Sequence, residues 1–207
     1  MYQRFVCLGL AFASLVGCAL APNASAQDET VNVLLQTSEG DILLELNKTK
    51  APKTVDNFLK YVEDDFYKGT VFHRVIKNFM IQGGGLGPDL KKKLTRSPIR
   101  NEASNGLSNK TYTVAMARTG DPHSATAQFF INVSDRNPSF LDRANAADGW
   151  GYAVFGKVID GFETVDKIKS VPTQVARTPE GFPMEDVPVE PVTILGTKVV
   201  KQDKLTK

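Results

Sequence analysis

The sequence predicts a mainly β domain, either an antiparallel β-barrel or a β-sandwich, from three observations. Short segments in which apolar and polar residues alternate recur along the chain, as in half-buried strands. Two separated segments show helical periodicity, and strands and helices do not alternate regularly as they do in parallel sheets. The chain has 207 residues, 42% of them hydrophobic, which is enough for one domain with a sizeable core.

Two predicted strand pairs with a helix between them occupy the first part of the chain. Residues 31–36 and 42–46 flank a glycine-containing turn and predict a β-hairpin. Pro52 can open a helix, because the first helical turn does not use the N–H that proline lacks. The apolar stripe of this helix consists of Val55, Phe58, Leu59, Val62 and Phe66. Further strands are predicted at 70–76 and 79–82.

The second part of the chain predicts further strands and one more helix. Residues 83–110 are rich in Gly, Pro, Asn and Ser and lack periodicity, so they predict a long loop. Strands then follow at residues 111–117, 129–133 and 152–158. A helical pattern covers 160–170, a proline-rich loop is predicted at 171–191, and a closing strand is predicted at 192–200.

Residues 1–26 have the composition of a signal peptide that is removed from the folded protein. Arg4 provides a short positively charged start, and residues 5–20 are apolar with small polar interruptions. Ala24-Ser25-Ala26 is a cleavage signal. The apolar stretch is shorter than the roughly 20 residues that a membrane-spanning helix needs. We therefore expect an exported protein whose mature form is a single domain over residues 27–207.

A second interpretation of the N-terminus is a lipoprotein signal. Leu15-Val16-Gly17-Cys18 resembles the lipobox of bacterial lipoproteins, in which Cys18 would carry the lipid and become the first residue. Both cysteines of the chain, Cys7 and Cys18, precede the predicted cleavage site. A mature chain that begins at Gln27 therefore contains no cysteine, and it can form neither a disulfide nor a zinc–thiolate site.

Composition and motifs argue against several function classes. A net charge of +2 does not favour binding to nucleic acid. The glycines of residues 83–87 match neither a dinucleotide-binding motif nor a P-loop. Asp121, His123 and Ser124 are close in sequence, but the nucleophile elbow of a hydrolase is missing. With His73 and His123 as the two histidines, we expect no multi-histidine metal site and interpret His73 as structural.

Residues 72–84, with the sequence FHRVIKNFMIQGG, carry the most chemical information. The ends of this segment alternate like half-buried strands, yet a guanidinium, a carboxamide and a thioether lie among aromatic rings within one hairpin-sized unit. Such a mixture is unusual for strands that only pack. It indicates a surface that holds an apolar ring while one nitrogen or oxygen of a substrate receives a hydrogen bond.

The sequence resembles the cyclophilins, a family of peptidyl-prolyl cis-trans isomerases, and is most similar to those of the bacterial periplasm. Four blocks carry the resemblance: APKTVDNF at 51–58, the segment 72–84, QFFI at 128–131, and VFGKV at 154–158. The resemblance implies a closed eight-stranded antiparallel β-barrel capped by two α-helices. It implies an isomerase that accelerates X–Pro rotation during the folding of exported proteins. We accordingly expect a periplasmic monomer without cofactor or metal, with proline-containing peptide segments as partners.

The resemblance also implies a role for individual residues. Arg74 is expected to catalyse the reaction by hydrogen bonding to the proline amide, and Gln82 to contact the substrate backbone and orient Arg74. The residues expected to hold the proline ring are Phe79, Met80, Phe130 and Leu141. The residues expected along the peptide groove and its rim are Ala117, Arg118, Gln128, Phe140 and Tyr152.

Departures from the family pattern lie at the rim. Phe140 stands where animal cyclophilins commonly have Trp, so an indole donor is missing and strong cyclosporin binding is not expected. Tyr152 stands where those proteins commonly have His. The bulky cation of Arg118 predicts a preference for acidic residues before proline. Residues 143–150 look like an insertion beside the groove, and core packing is the expected role of Trp150.

A binding module that holds proline-containing segments without turnover is the alternative from another functional class. Such a module needs the apolar pocket but not a positioned cation. Arg74 therefore discriminates between the two functions, because only an isomerase requires a donor at the proline amide.

Overall fold

The structure is a computed structural model that describes Met1 and residues 28–201. In chain order, the elements are β1 (Thr30–Thr37), β2 (Gly40–Asn47), α1 (Pro52–Glu63), β3 (Phe72–Ile76), β4 (Met80–Gly83), β5 (Thr113–Met116), β6 (Phe129–Asn132), α2 (Pro138–Leu141), β7 (Val154–Asp160), α3 (Phe162–Ile168), β8 (Thr173–Arg177), β9 (Pro183–Pro188) and β10 (Ile194–Val200). Eight strands form one curled antiparallel sheet in the order β10-β1-β2-β7-β5-β6-β4-β3. The predicted mainly β class is thereby confirmed.

The predicted closure of the barrel is wrong, because the sheet is open between β3 and β10. A closed barrel needs a continuous hydrogen-bonded ladder between its first and last strands. Here a single bridge, between Val71 and Thr193, joins the segments that lead into the two strands. Backbone hydrogen bonds such as Phe72 N to Val192 O, at 2.9 Å, flank it. The strands β3 and β10 themselves do not pair, so the ladder ends there.

The main apolar core joins α1 and α3 to one face of the sheet, which we call the inner face. The stripe predicted for α1 is confirmed at Val55, Phe58 and Val62, all of which are buried. The ring of Phe58 lies 5.5 Å from that of Phe129 and 5.3 Å from that of Phe155. Aromatic rings at such separations add to the stability that comes from burying their area.

Two elements of the fold are absent from the sequence prediction. The first is α2, a third helix beside the two expected; it has four residues, too few to produce a periodic pattern. The second is a two-stranded sheet of β8 and β9, which lies within the segment 171–191 that was expected to be loop. Pro183 and Pro188 stand at the two ends of β9, where proline is tolerated in a strand.

Residues 2–27 and 202–207 are not described, so the predicted signal peptide and Cys18 lie outside the described residues. Among the described residues, no helix has the length and apolar character needed to cross a bilayer. Within the same residues, no three His, Cys, Asp or Glu side chains come together in a group that could hold a metal ion.

His73 on β3 is buried, with 5% of its surface exposed. Burial lowers the pKa of His73 to about 4, against a smaller opposing effect of the Val71 backbone. Its Nδ1 atom has no hydrogen-bond partner among residues 28–201. The folded protein therefore holds this imidazole in its neutral form at neutral pH.

We predict that His73 makes folding stability depend on pH between about 6.5 and 4. In this window the unfolded chain binds the proton and the folded chain does not, so stability is present above pH 6.5 and lost as the pH falls towards 4. The loss attributable to this group is at most about 3.5 kcal/mol. Urea unfolding at a series of pH values gives the slope of the unfolding free energy against pH for the wild type and for His73→Asn. The difference between the two slopes measures the contribution of His73.

Equal slopes for wild type and His73→Asn would contradict the prediction.

Candidate active site

The strand register brings the central residues of the site into one row. Arg74 pairs with Gln82 across β3 and β4, Gln82 pairs with Phe130 across β4 and β6, and Phe130 pairs with Ala115 across β6 and β5. Directly paired residues of an antiparallel sheet point to the same face. We call these four residues the site row and the face that carries them the outer face.

A second apolar cluster covers the outer face and is separate from the main core. Its buried members are Met80, Ala115, Phe130, Leu141 and Val154. The alternation of side chains along β6 explains the separation, because Phe129 and Ile131 belong to the main core while Phe130 belongs to the outer cluster. One strand thus contributes to both apolar clusters.

A cavity of about 110 Å³, which we call the site cavity, opens above this cluster. It is lined by Arg74, Phe79, Met80, Gln82, Ala117, Arg118, Phe130, Leu141 and Tyr152. All of these lining residues are among those expected from the sequence. An adjoining groove of about 450 Å³ shares several of them and is also lined by Gln128 and Met184.

The carboxamide of Gln82 is held by a second carboxamide. Gln82 Nε2 donates a hydrogen bond to Gln128 Oε1 at 2.9 Å. We expected Gln82 to orient Arg74, but the hydrogen bond of its side chain instead runs to Gln128. The pairing leaves Gln82 Oε1 and Gln128 Nε2 for a further partner, because each carboxamide carries one acceptor and two N–H donors.

Arg74 is the more exposed of the two arginines at the site cavity. Its side chain is 43% exposed, and its Nε atom lies 3.7 Å from Oδ2 of Asp186 on β9. Among residues 28–201, its guanidinium makes no hydrogen bond that meets normal geometry. The terminal nitrogens of Arg74 are therefore available for hydrogen bonding in the cavity.

The side chain of Arg118 is buried and each of its three nitrogens donates a hydrogen bond, unlike the rim cation that we expected. Its side chain is 3% exposed and forms an ion pair with Asp148. Its Nε donates to Gly151 O at 3.1 Å, and its guanidinium lies 4.4 Å from the ring centre of Tyr152. Backbone N–H groups of Trp150 and Gly151, together with Arg118, lower the pKa of Asp148 to about 2. A cation neutralised in this way is poorly placed to select acidic residues in a substrate.

The remaining rim residues lie at the edge of the cavity. Phe140 on α2 is 45% exposed and does not line the site cavity, although its ring lies 5.6 Å from that of Phe79. Trp150 was expected to pack into the core, but it does not. It is partly exposed, with its ring 5.0 Å from that of His123 and the Arg143 guanidinium 5.3 Å from its centre.

Comparisons with known proteins identify the family to which the chain belongs. Residues 32–199 match the family model described as cyclophilin type peptidyl-prolyl cis-trans isomerase/CLD. A peptidyl-prolyl cis-trans isomerase of Streptomyces antibioticus is 58% identical over 169 residues, covering 81% of this chain and 98% of that relative. Peptidyl-prolyl cis-trans isomerase B of Escherichia coli K12 is 53% identical over 163 residues, covering 78% of this chain and 98% of that relative. The chain belongs to the cyclophilin family.

This cyclophilin is therefore a peptidyl-prolyl cis-trans isomerase, as its motifs predicted, and proline-containing peptides are its class of substrate. A solved cyclophilin from Cryptosporidium parvum superposes with a TM-score of 0.68 at 29% identity, covering 84% of this chain and 99% of that one. A second structure of that protein, determined in the presence of the dipeptide Ala-Pro, gives a TM-score of 0.67 at 28% identity.

Two residues at the cyclophilin site were missed by sequence reasoning. Asp186 and Met184 both lie on β9, in the segment predicted to be loop. The prolines around them conceal the strand, and no local pattern indicates that this hairpin packs beside β3. The carboxylate beside Arg74 could therefore be found only from the fold.

Gly85 makes room for the Gln82–Gln128 hydrogen bond. A Cβ atom at Gly85 would lie 2.4 Å from Gln128 Cγ and 2.7 Å from its Nε2, distances at which the Gln128 side chain must move. Position 85 therefore requires a glycine, because the side chain of Gln128, which lines the groove, occupies the space that a Cβ atom would take.

We predict that Gly85→Ala weakens substrate binding by displacing Gln128 and breaking its hydrogen bond with Gln82. Such a bond contributes about 0.5–1.5 kcal/mol, so KM for a proline-containing peptide should rise roughly two- to tenfold. Steady-state kinetics on a short X–Pro peptide measures the change. Gly120→Ala is the matched control, because no atom lies within 4 Å of a Cβ there. An unchanged KM in Gly85→Ala would contradict the prediction.

Proposed function

We propose that this cyclophilin lowers the barrier to X–Pro rotation by a hydrogen bond from Arg74 to the proline amide. The peptide C–N bond resists rotation because the nitrogen lone pair is delocalised, which gives a barrier of about 18–20 kcal/mol. In the twisted transition state the lone pair is localised on nitrogen and can accept a hydrogen bond. A donor aimed at this nitrogen binds the transition state more strongly than either planar isomer, as catalysis requires.

The exposed guanidinium of Arg74 beside an apolar cavity is the observation that carries the proposal. Phe79, Met80, Phe130 and Leu141 form an apolar wall that suits the pyrrolidine ring. Arg74 lines the same cavity from the polar side. Arginine suits the task, because it stays charged at all working pH values and carries several N–H donors. The cyclophilin determined in the presence of Ala-Pro shares this fold and supports the assignment of the ligand class.

The energetic requirement is within reach of such a site. Uncatalysed isomerisation takes tens of seconds or more. Turnover in milliseconds requires that the barrier falls by roughly 5–7 kcal/mol, at 1.36 kcal/mol for each factor of ten. One charge-assisted hydrogen bond from Arg74, together with a fixed orientation of the ring, can supply this amount.

The remaining expected residues position the peptide. The paired carboxamides of Gln82 and Gln128 keep one acceptor and one donor nitrogen for the substrate backbone. Ala117 lines both the site cavity and the adjoining groove, whereas Tyr152 lines the site cavity, where the Arg118 guanidinium packs against its ring. Phe140 covers Phe79 at the exposed edge.

Replacing Arg74 tests the mechanism. We predict that Arg74→Ala lowers kcat by roughly 10²- to 10³-fold, the loss typical for removal of one transition-state donor. Binding of a proline-containing peptide should change little, because the apolar wall is intact. NMR exchange measurements on an X–Pro peptide give kcat and the dissociation constant separately. Lys77→Ala, which removes an exposed positive charge after β3, is the control.

The same experiment distinguishes the isomerase from a module that holds proline-containing segments without turnover. Retention of near wild-type kcat in Arg74→Ala would refute the arginine mechanism. A wild-type protein that binds the peptide without accelerating its exchange would favour the holding module.

We further propose that the protein acts in the periplasm as a monomer on the unfolded segments of exported proteins. The sequence support is the apolar stretch that ends at Ala24-Ser25-Ala26, and a mature chain without cysteine that depends on core packing alone. We predict a mature N-terminus at Gln27, measured by intact-mass spectrometry of the protein recovered from its native cell fraction. A lipid-modified N-terminus at Cys18 would instead support a membrane-anchored form.

A further inference from the structure

The charged partner of Arg74 comes from outside the eight-stranded sheet. Asp186 lies on β9 of the small β8–β9 sheet, and its Oδ2 atom is 3.7 Å from Arg74 Nε. The two side chains are 36% and 43% exposed. Strand β9 packs beside β3, the strand that carries Arg74. An appended hairpin thus places a carboxylate at the edge of the site cavity.

A β-bulge points Asp186 in this direction. Ala176 on β8 pairs with Met184 on β9, and Gln174 pairs with Val187, so two residues of β9 lie opposite a single residue of β8. Asp186 is one of the two and has a φ of +59°, in the left-handed region. Bulges of this kind bend a strand and redirect a side chain, and they are frequent beside active sites. Aspartate is among the few non-glycine residues that adopt this conformation readily.

The hairpin that carries Asp186 is anchored to the body of the domain. Val187, the next residue, is 7% exposed and packs with Leu86 and Leu90 from the loop after β4. Met184 and Ala176 pack against the same three residues. The carboxylate is therefore held on a packed element, which is the kind of support that a precisely oriented side chain needs.

No other side chain of the described residues forms an ion pair or a hydrogen bond with the Arg74 guanidinium. The Gln82 carboxamide, opposite Arg74 in the site row, donates its hydrogen bond to Gln128. An arginine side chain has many rotamers, and fixing it for catalysis costs conformational entropy. A carboxylate near Nε restrains the guanidinium and leaves the terminal nitrogens for the substrate.

We propose that Asp186 is a positioning residue for catalysis, which holds the Arg74 guanidinium over the site cavity through its Nε atom. The inference rests on the proposed function, in which Arg74 donates to the proline amide. Asp186 itself does not touch the proline ring. It raises the fraction of Arg74 side chains that are ready to stabilise the twisted peptide bond, so it acts on turnover rather than on binding.

Asp186→Asn and Asp186→Gly test the proposal, because both remove the charge and both residues tolerate a positive φ. We expect kcat for a proline-containing peptide to fall about two- to fivefold in each variant, the range that partly exposed ion pairs support. The dissociation constant of the peptide and the melting temperature should stay near wild-type values. Glu185→Gln, which removes the neighbouring charge on the same strand, is the matched control and should leave kcat unchanged.

Two further measurements separate positioning from a general structural effect. In an Arg74→Ala background, Asp186→Asn should cause no further loss of kcat, because the group that it positions is gone. In the wild type, the ¹⁵Nε–¹Hε resonance of Arg74 should shift on Asp186→Asn and stay in place on Glu185→Gln. An equal loss in both backgrounds, or an unmoved resonance, would overturn the positioning role.

The outcomes also distinguish this inference from the proposed function. If Arg74→Ala keeps near wild-type turnover, the arginine mechanism fails, and the role of Asp186 fails with it. If Arg74→Ala loses turnover while both Asp186 variants keep or increase kcat, the arginine mechanism stands and the positioning role alone is overturned.

Discussion

The hydrogen-bonded register between β3, β4 and β6 decides which side chains can form the active site. It places Arg74, Gln82 and Phe130 opposite one another on the outer face of the sheet. Because side chains alternate between faces along each strand, a slip of one residue would turn Arg74 and Phe130 towards the main core. The cation, the carboxamide and the apolar wall of the site cavity therefore depend on one strand alignment.

The same alternation couples the site to the stability of the domain. Phe129 and Phe130 are neighbours in sequence, yet Phe129 packs among the rings of the main core and Phe130 forms the floor of the site cavity. Protein interiors are close-packed and resist deformation, so the cluster beneath the cavity would give a proline ring bound as we propose a rigid support. A fixed floor matters for this reaction, because one side of the peptide bond must stay still while the other rotates.

Alternation and composition were sufficient to predict the eight strands of the main sheet. Residues 72–84 predicted a polar group beside an apolar wall, and the structure brings Arg74, Met80 and Gln82 together at one cavity. The ion pairs could not be predicted in this way. Arg118 meets Asp148 across 30 residues, and Arg74 meets Asp186 through a bulge in a proline-rich segment, so neither pair leaves a local pattern. The open edge of the sheet likewise depends on contacts distant in sequence.

The contrast between the two arginines of the cavity shows why only one of them suits catalysis. The donors of Arg118 are directed at Asp148, Gly151 O and Thr119 O, and its side chain is 3% exposed. A guanidinium with its donors already paired gains little when a substrate twists, because an old hydrogen bond must break for a new one to form. Arg74 faces one carboxylate at 3.7 Å and keeps its terminal nitrogens unpaired within the described residues. In the mechanism that we propose, its hydrogen bond to the proline nitrogen forms in the transition state without the loss of another, and this would provide the differential binding that catalysis requires.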